Sequence, residues 1–502
     1  VSIGNALAIA SSGLANITQQ MGLVSQNVAN IGTPDYALEV NTPQSMTAAG
    51  EGMGVVSGPT TLQINQELQT ESFNQNAVVA GLQTRQTALQ ALDAAQGTPG
   101  QSNDLGSLLG NLQTQFSTLL NQPDDPTQQN QVVQSAATLA EGINAVSTAY
   151  ATQRQTTQTD LVSAVATLNT TLGTIGALSD QIVALQVNGQ STADLQNQRN
   201  AAVASLSQLL NVKTFAQPNG DLVVTTAAGT VLPTHGAPNQ IVAPDANIQP
   251  GESYADGTVP GITLNGTDIT NQLQGGQIGA DLTLRDQTLP VYQAELDEFA
   301  EGLATRFQSQ GLTLFTDPTG AVPSPGTAPP VQGSYVGFAS TIQVNPQVQA
   351  TPSLVRDGTN AVTGFTPNPS GGPAGFTTLI SNVLNYTLGT NQQPGVAQPP
   401  FNTTGLGVDG TLNAPFASPP TLAAMASALV ASQAQDSAQT TAQLTSEQAV
   451  QTTLNSKLAA GSGVNMDAEM SSMIALQNAY GANARVITTV QALFTQLLAT
   501  VQ

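Results

Sequence analysis

The sequence predicts a mainly α-helical protein with an inserted β-rich part. Coiled-coil helices pair at its two ends, a long antiparallel helical rod lies inside them, and an irregular outer part is built of strands and loops. Three observations predict this. Apolar residues recur at alternating steps of four and three near both ends. A Gln/Ala/Leu-rich stretch from about Leu82 to Leu210 keeps helical spacing with few breaks, and Pro, Gly and Thr become frequent beyond Val212.

At the N-terminal end Ile3, Leu7, Ala10, Leu14, Ile17, Met21, Val24 and Val28 form a heptad stripe. Its flanks are Ser, Asn, Gln and Thr without a charge, so the ion pairs that specify a free coiled coil are missing, and the helix is expected to be buried in an assembly. The stripe stops in NVANIGTPDY, Asn27 to Tyr36. Pro34 cannot continue a helix and pushes Thr33 to an extended conformation. At the other end Met466, Met470, Met473, Tyr480, Ala484, Ile487, Val490, Phe494, Leu497 and Val501 lie on one face, with Gln477 the polar exception. The two helices read as partners, each marginal alone because an amphipathic helix is stabilised mostly by packing.

The rod stretch breaks at 97–100 and again at 121–126, where NQPDDP reads as a turn. Asp124 and Asp125, flanked by prolines, are expected to cap the following helix rather than to form a catalytic pair. The chain turns at Asn188-Gly189, and VKTFAQPNGDLVVTT from Val212 reads as a hairpin about Asn219-Gly220. A helix is predicted from about Leu289 to Gln310, with Pro290 in its first turn. Residues 312–420 read as loops, short strands and one short helix near Phe376 to Leu388; regular helix returns at Leu422 and, with a break at 461–463, runs to the end. The predicted organisation is a terminal helical unit of 1–45 with 464–502, a helical rod of 46–311 with 421–463 that carries β-hairpin structure near 212–284, and an outer part of 312–420.

Composition narrows the function. Nine basic residues face thirty-one acidic ones, a formal charge of −22, and the first basic residue is Arg85. Nucleic-acid phosphates and anionic membrane surfaces are therefore not expected partners. No Cys and one His remove thiol nucleophiles, Cys-rich metal sites and His-dependent triads. The N-terminal end has no basic region or contiguous apolar core, so it is not read as a secretory signal, and no window is read as the roughly 20 apolar residues of a membrane span. His235, in LPTHGAP, is expected to be an exposed turn residue. Glu295, Glu298 and Glu301, with Asp297 beside them, fall at helical spacing and are expected to form a solvated face. Gly52-Met53-Gly54 lacks the strand-to-helix context of a phosphate loop. Neither a cofactor nor a metal is expected.

Both ends, ALAIASSGLANITQQMGLVSQNVANIGTPDY and Ser462 to Leu498, SGVNMDAEMSSMIALQNAYGANARVITTVQALFTQLL, resemble the flagellar axial proteins, most closely the hook-associated protein 1 family. The first is similar to that family's helix and ANxxTPGY-like turn, the second to its VNLDEEM and AYxANARVIxT motifs. NQPDDPTQQNQVV, DLQNQRNAAVASLSQLLNVKTF and GGQIGADLTLRDQTLPVYQAELDEFAEGLATRF resemble internal family segments in order and spacing. Asp35 and Leu38 stand where the family has Gly and Arg, which removes the argument for a positive φ at position 35 and for an arginine contact after Tyr36. The resemblance implies a non-enzymatic structural adaptor of the bacterial flagellum. It would be exported without a cleavable signal peptide, join hook to filament, and assemble with itself as a ring, with hook protein and with the second junction protein. The C-terminal helix would also bind an export chaperone. The expected assembly residues are those of the two stripes, with Asn30, Pro34 and Tyr36 ending the first and Asn483 and Arg485 in the second; Arg485 either meets a carboxylate or is solvated. The alternatives are another axial protein, flagellin-like or hook-type, and a secreted adhesin or hydrolase.

Overall fold

The computed structural model describes residues 3–48, 51–96, 104–236 and 240–500. The break expected at 97–100 and the stripe residue Val501 lie outside them. The chain opens with α1 (Ile3–Ala29), a hairpin of β1 (Glu39–Ala48) and β2 (Glu51–Leu62), and α2 (Gln66–Gln96). Then come α3 (Leu105–Asn121), α4 (Pro126–Val187) and α5 (Ala193–Leu209).

At 62 residues α4 is the longest element, about 90 Å at 1.5 Å per residue. Asp125 caps it as expected, accepting from Thr127 N at 2.8 Å, with Pro126 in its first turn. Val132, Ala136, Leu139, Ile143, Val146 and Tyr150, then Leu161, Val165, Leu168, Leu172 and Ile175, are buried along it at alternating steps of three and four. The first set belongs to a core shared with α3 and the end of α2. The second belongs to a core shared with α5 and the strands that follow. Between them the stripe turns polar: Arg154 donates to the carbonyls of Arg285 and Glu252, both at 2.8 Å, and Gln158 accepts from Arg285 Nη1 at 2.8 Å. One window of α4 is long and apolar enough to cross a membrane by length and composition, contrary to the sequence expectation; its buried apolar residues line the second core.

The hairpin at Asn219-Gly220 forms between β3 (Val212–Ala216) and β4 (Leu222–Thr226), pairing Val212 with Thr226 and Ala216 with Leu222. Gly220 takes the positive φ, 93°, that the turn needs. The sheet continues to β5 (Val231–Leu232), and β6 (Ile241–Val242), β7 (Thr263–Leu264) and β8 (Thr267–Asp268) make a second three-stranded sheet.

Helix then begins at Gly276, thirteen residues before the predicted start. The segment α6 (Gly276–Thr283) runs through a π turn, Leu284–Thr288, into α7 (Leu289–Ser309). Thr288 is itself in the right-handed helical region. Pro290 therefore follows a π turn within a continuous helical path; a widened turn accommodates a residue that lacks an N–H.

The acidic residues of α7 are not solvated, which corrects the sequence expectation: Glu295, Asp297, Glu298 and Glu301 are all buried. The helix is wrapped on every side, and the loops around it bring backbone donors that need acceptors. Asp297 accepts from Gly337 N at 2.7 Å and Ala339 N at 2.8 Å. Glu298 accepts from Asn402 N at 2.7 Å and Tyr335 OH at 2.6 Å. Both carboxyl oxygens of Glu295 are buried without a hydrogen-bond partner. Arg306, on the same helix, lies 4.3 Å over the Phe401 ring.

The outer part contributes three short helices, α8 (Pro346–Ala350), α9 (Leu354–Asp357) and α10 (Thr378–Asn382), and antiparallel pairs of two or three residues. Long helix resumes with α11 (Leu422–Ser462), capped by Thr421 and packed along α2, and ends with α12 (Met466–Thr500), packed along α1. The fold is thus mainly α with inserted β structure and long helices at both ends. The β1–β2 hairpin, unforeseen in the sequence, lies across the expected boundary at residue 45 and packs on α1, where Val55 N donates to Ser12 Oγ at 3.2 Å.

Two outcomes follow. Burial pushes the carboxyls of Glu295 and Glu301 up to about 8 and that of Asp297 up to about 7. Because these folded-state values exceed the unfolded ones, the protonated groups give their full stabilisation below about pH 4 to 4.5. It is lost as pH rises to between about 7 and 8, by up to about 1.4 kcal/mol per pH unit for each group. Chemical denaturation across that range should show the fall, and Glu295→Gln should flatten it. A Cβ on Gly54, whose φ is 126°, would meet Ser12 Oγ. Gly54→Ala should cost the terminal unit about 1–3 kcal/mol, read as faster amide exchange in residues 39–62 with the rod's exchange unchanged.

Candidate assembly surface

The two terminal helices run antiparallel. Near one end of the pair Asn27 Nδ2 donates to Glu469 Oε2 at 3.3 Å; about four turns away Gly13 lies against Asn483, where an added Cβ would be 3.4 Å from its Oδ1. On α1 the buried apolar residues are Ala10, Ile17 and Val24, seven apart, and Ile3, Leu7, Leu14, Met21 and Val28 are half-buried beside them. The heptad read from the sequence is therefore the packed seam of this helix.

On α12 the predicted residues divide. Met473, Asn483 and Ile487 are half-buried and Val490 is buried, on the side toward α1. Met466, Met470, Tyr480, Phe494 and Leu497 are 41–52% exposed, and Arg485 is exposed as well. The sequence reading missed Ile474, Val486, Leu493 and Leu498, all exposed. Their signal was present, since a helix with apolar residues off its main stripe has more than one apolar face. Exposed apolar side chains thus run along α12 from Met466 to Leu498.

The turn after α1 is built as the sequence suggested, with one reversal. Asn30 closes the helix, its N–H donating to the carbonyls of Gln26 and Asn27, both at 3.1 Å, and Thr33 Oγ1 donates to Asn30 Oδ1 at 3.1 Å. Tyr36 N returns to Thr33 O at 3.3 Å across Pro34 and Asp35. Asp35 has φ 59°, so the positive φ survives although the family glycine is absent. Asp is one of the few residues that tolerate this region. Tyr36 OH donates to Asn27 Oδ1 at 3.1 Å, and Leu38, in place of the family arginine, donates its N–H to Ser462 O at 2.7 Å.

The other candidates are structural. His235 is exposed, as expected, and its Nε2 lies 3.3 Å from Asp180 Oδ1 and 3.7 Å from Asp221 Oδ1, between α4 and the hairpin. Among the described residues no group of three or more His, Cys, Asp or Glu side chains could hold a metal ion.

Residues 89–321 match the model of the flagellar hook-associated protein FlgK helical domain, and residues 458–500 match that of the flagellar basal body rod FlgEFG protein C-terminal region. Flagellar hook-associated protein 1 of Escherichia coli K12 is 23% identical over 60% of this chain and 56% of its own. That of Salmonella typhimurium is 24% identical over 60% and 55%, and that of Bacillus subtilis 24% over 45% and 44%. The chain thus spans about half the length of the curated relatives it matches. The solved structure of the flagellar hook junction protein FlgK from Burkholderia pseudomallei is 25% identical, with a TM-score of 0.39, over 52% of this chain and 47% of that one. The helical-domain match over residues 89–321 and the agreeing curated matches support a FlgK-family, flagellar hook-associated protein.

Proposed function

We propose that this protein is a non-enzymatic structural adaptor that joins the flagellar hook to the filament outside the cell and is needed for filament assembly. The observation that carries the reading is α12, apolar on more than one side and covered by α1 on one of them only. Burying each large apolar side chain contributes about 1.5–3 kcal/mol, so the exposed set is a strong drive toward assembly. Copies of the chain arranged as a ring, hook protein on one side and the second junction protein on the other would supply the missing cover. Before assembly an export chaperone would mask the same surface. In this reading 1–45 with 464–502 form the axial unit, 46–311 with 421–463 the rod, and 312–420 the outer part.

The match of residues 458–500 to a rod-protein C-terminal model favours a second reading, a hook-type axial protein. Labelled protein on isolated appendages separates the two: a single band at the hook–filament joint supports the adaptor, and label spread along the hook or filament refutes it. Neither hydrophobic core contains a residue of α1 or α12. A chain truncated before Met466 should therefore keep the rod's helical circular dichroism and cooperative melting while its incorporation into appendages falls below detection. Filament growth on the truncated chain would overturn the proposal.

A further inference from the structure

The segment from Ala37 to Glu39 is where the terminal unit meets the rod. Asn197, on α5, holds the backbone of Ala37 at both ends: its Oδ1 accepts from Ala37 N at 2.9 Å and its Nδ2 donates to Ala37 O at 3.0 Å. Leu38 N donates to the last residue of α11, Ser462, and Leu38 O accepts from Gln63 N at 2.8 Å. Glu39 closes on α1, its N–H donating to Asn27 Oδ1 at 3.2 Å and its carbonyl accepting from Asn27 Nδ2 at 2.9 Å. Three residues thus tie α1 to α5 and α11.

The Glu39 carboxyl is enclosed in this joint, 4% exposed, with Asn197 Nδ2 donating to Oε1 at 3.2 Å. The one charged group that acts on it is Asp194 from α5, while the neutral Tyr36 hydroxyl of the turn hydrogen-bonds it; Glu469, on α12, shares the Asn27 amide. From the remaining elements α1 presents Asn27, α11 presents Ser462 and β2 places Leu62 opposite, none of them charged. Arg199, one half-turn beyond Asn197, is turned away to Ser179 Oγ at 3.1 Å and Gly220 O at 2.7 Å.

We propose that this joint is a proton-operated latch: with Glu39 uncharged the terminal helix pair is clamped to the rod through Ala37 and Leu38, and ionisation of Glu39 loosens the clamp. An ionised carboxylate enclosed beside a like charge is disfavoured by desolvation and by repulsion, and opening the joint admits water to it. Burial and Asp194 raise the Glu39 carboxyl, while the Asn197 and Tyr36 hydrogen bonds oppose the rise. A group raised in the closed state stabilises that state fully below the ordinary carboxylate range and loses the effect as pH climbs through the raised value. The inference rests on the joint's geometry and is independent of the flagellar role.

The test is amide exchange of Ala37 and Leu38 in the full chain from about pH 4 to about pH 8, corrected for intrinsic exchange. One proton linked to opening gives an opening constant that rises by up to about tenfold per pH unit within the window. Glu39→Gln should stay closed and lose the pH slope. Asp194→Asn, which removes the facing charge nearer the surface, should shrink the total rise and so keep the test decisive if the buried variant folds poorly. Asn197→Ala should open the joint at every pH. A parent protein with flat protection, a Glu39→Gln variant with the parent's slope, or an Asp194→Asn variant with an undiminished rise would overturn the latch.

Discussion

A shortage of cations governs how this chain builds its interior. Of nine basic residues, Arg154 and Arg306 are buried on backbone carbonyls and Arg199 on a carbonyl and a serine hydroxyl. Arg285 and Arg356 each pair with the next residue, Asp286 and Asp357, and Arg85 with Asp436 at 2.7 Å. Little positive charge is left for the carboxyls the fold encloses. Asp297 and Glu298 find backbone N–H groups, Glu39 finds an asparagine amide, and Glu295 has no partner, so burial pushes its carboxyl toward the neutral acid. Uncharged acids and amides do here what ion pairs do elsewhere, and they carry a proton dependence with them.

This constraint also decides what the sequence could reveal. Local signals were legible: the heptad of α1 from its apolar spacing, the cap at Asp125 from its flanking prolines, the β3–β4 turn from Asn219-Gly220. Each depends on residues within a turn or two. The burial of α7 did not follow from its own residues, because four acids at helical spacing look alike whether the neighbours are water or loop amides. What distinguishes them is Gly337, Ala339 and Asn402, which lie some forty to one hundred residues farther along the chain. The β1–β2 hairpin was hidden for a different reason. Pro43, Gly52, Gly54 and Pro59 break its strand pattern, and the register shifts twice along it.

The candidate surface shows the same division. The stripe of α1 was legible because one periodicity describes both its sequence and its burial. On α12 Ile487 and Val490 are covered, whereas Phe494 and Leu497, one and two turns farther along the same face, are exposed. The heptad period gives the face and not how far along it the partner helix reaches. Which stretch of α12 meets α1 is marked instead by polar residues within the seam: Asn483 against Gly13 and Glu469 against Asn27. Polar residues at such positions fix register at some cost in stability.

The seam and the joint are therefore one device. Asn27 is the residue they share, since its amide reaches Glu469 on α12, Tyr36 in the turn and both backbone groups of Glu39. A shift of α12 along α1 would have to break the Asn27–Glu469 contact, and the same amide holds the start of β1 against α1. Ser462 closes the circuit from the other side, its carbonyl accepting from Leu38 N and its hydroxyl accepting from Asn65 N at 3.1 Å. Two stretches of chain more than four hundred residues apart thus enter and leave the terminal unit at one point. The helix pair of α1 and α12 is joined through that point to α5 by Asn197 and to α11 by Ser462.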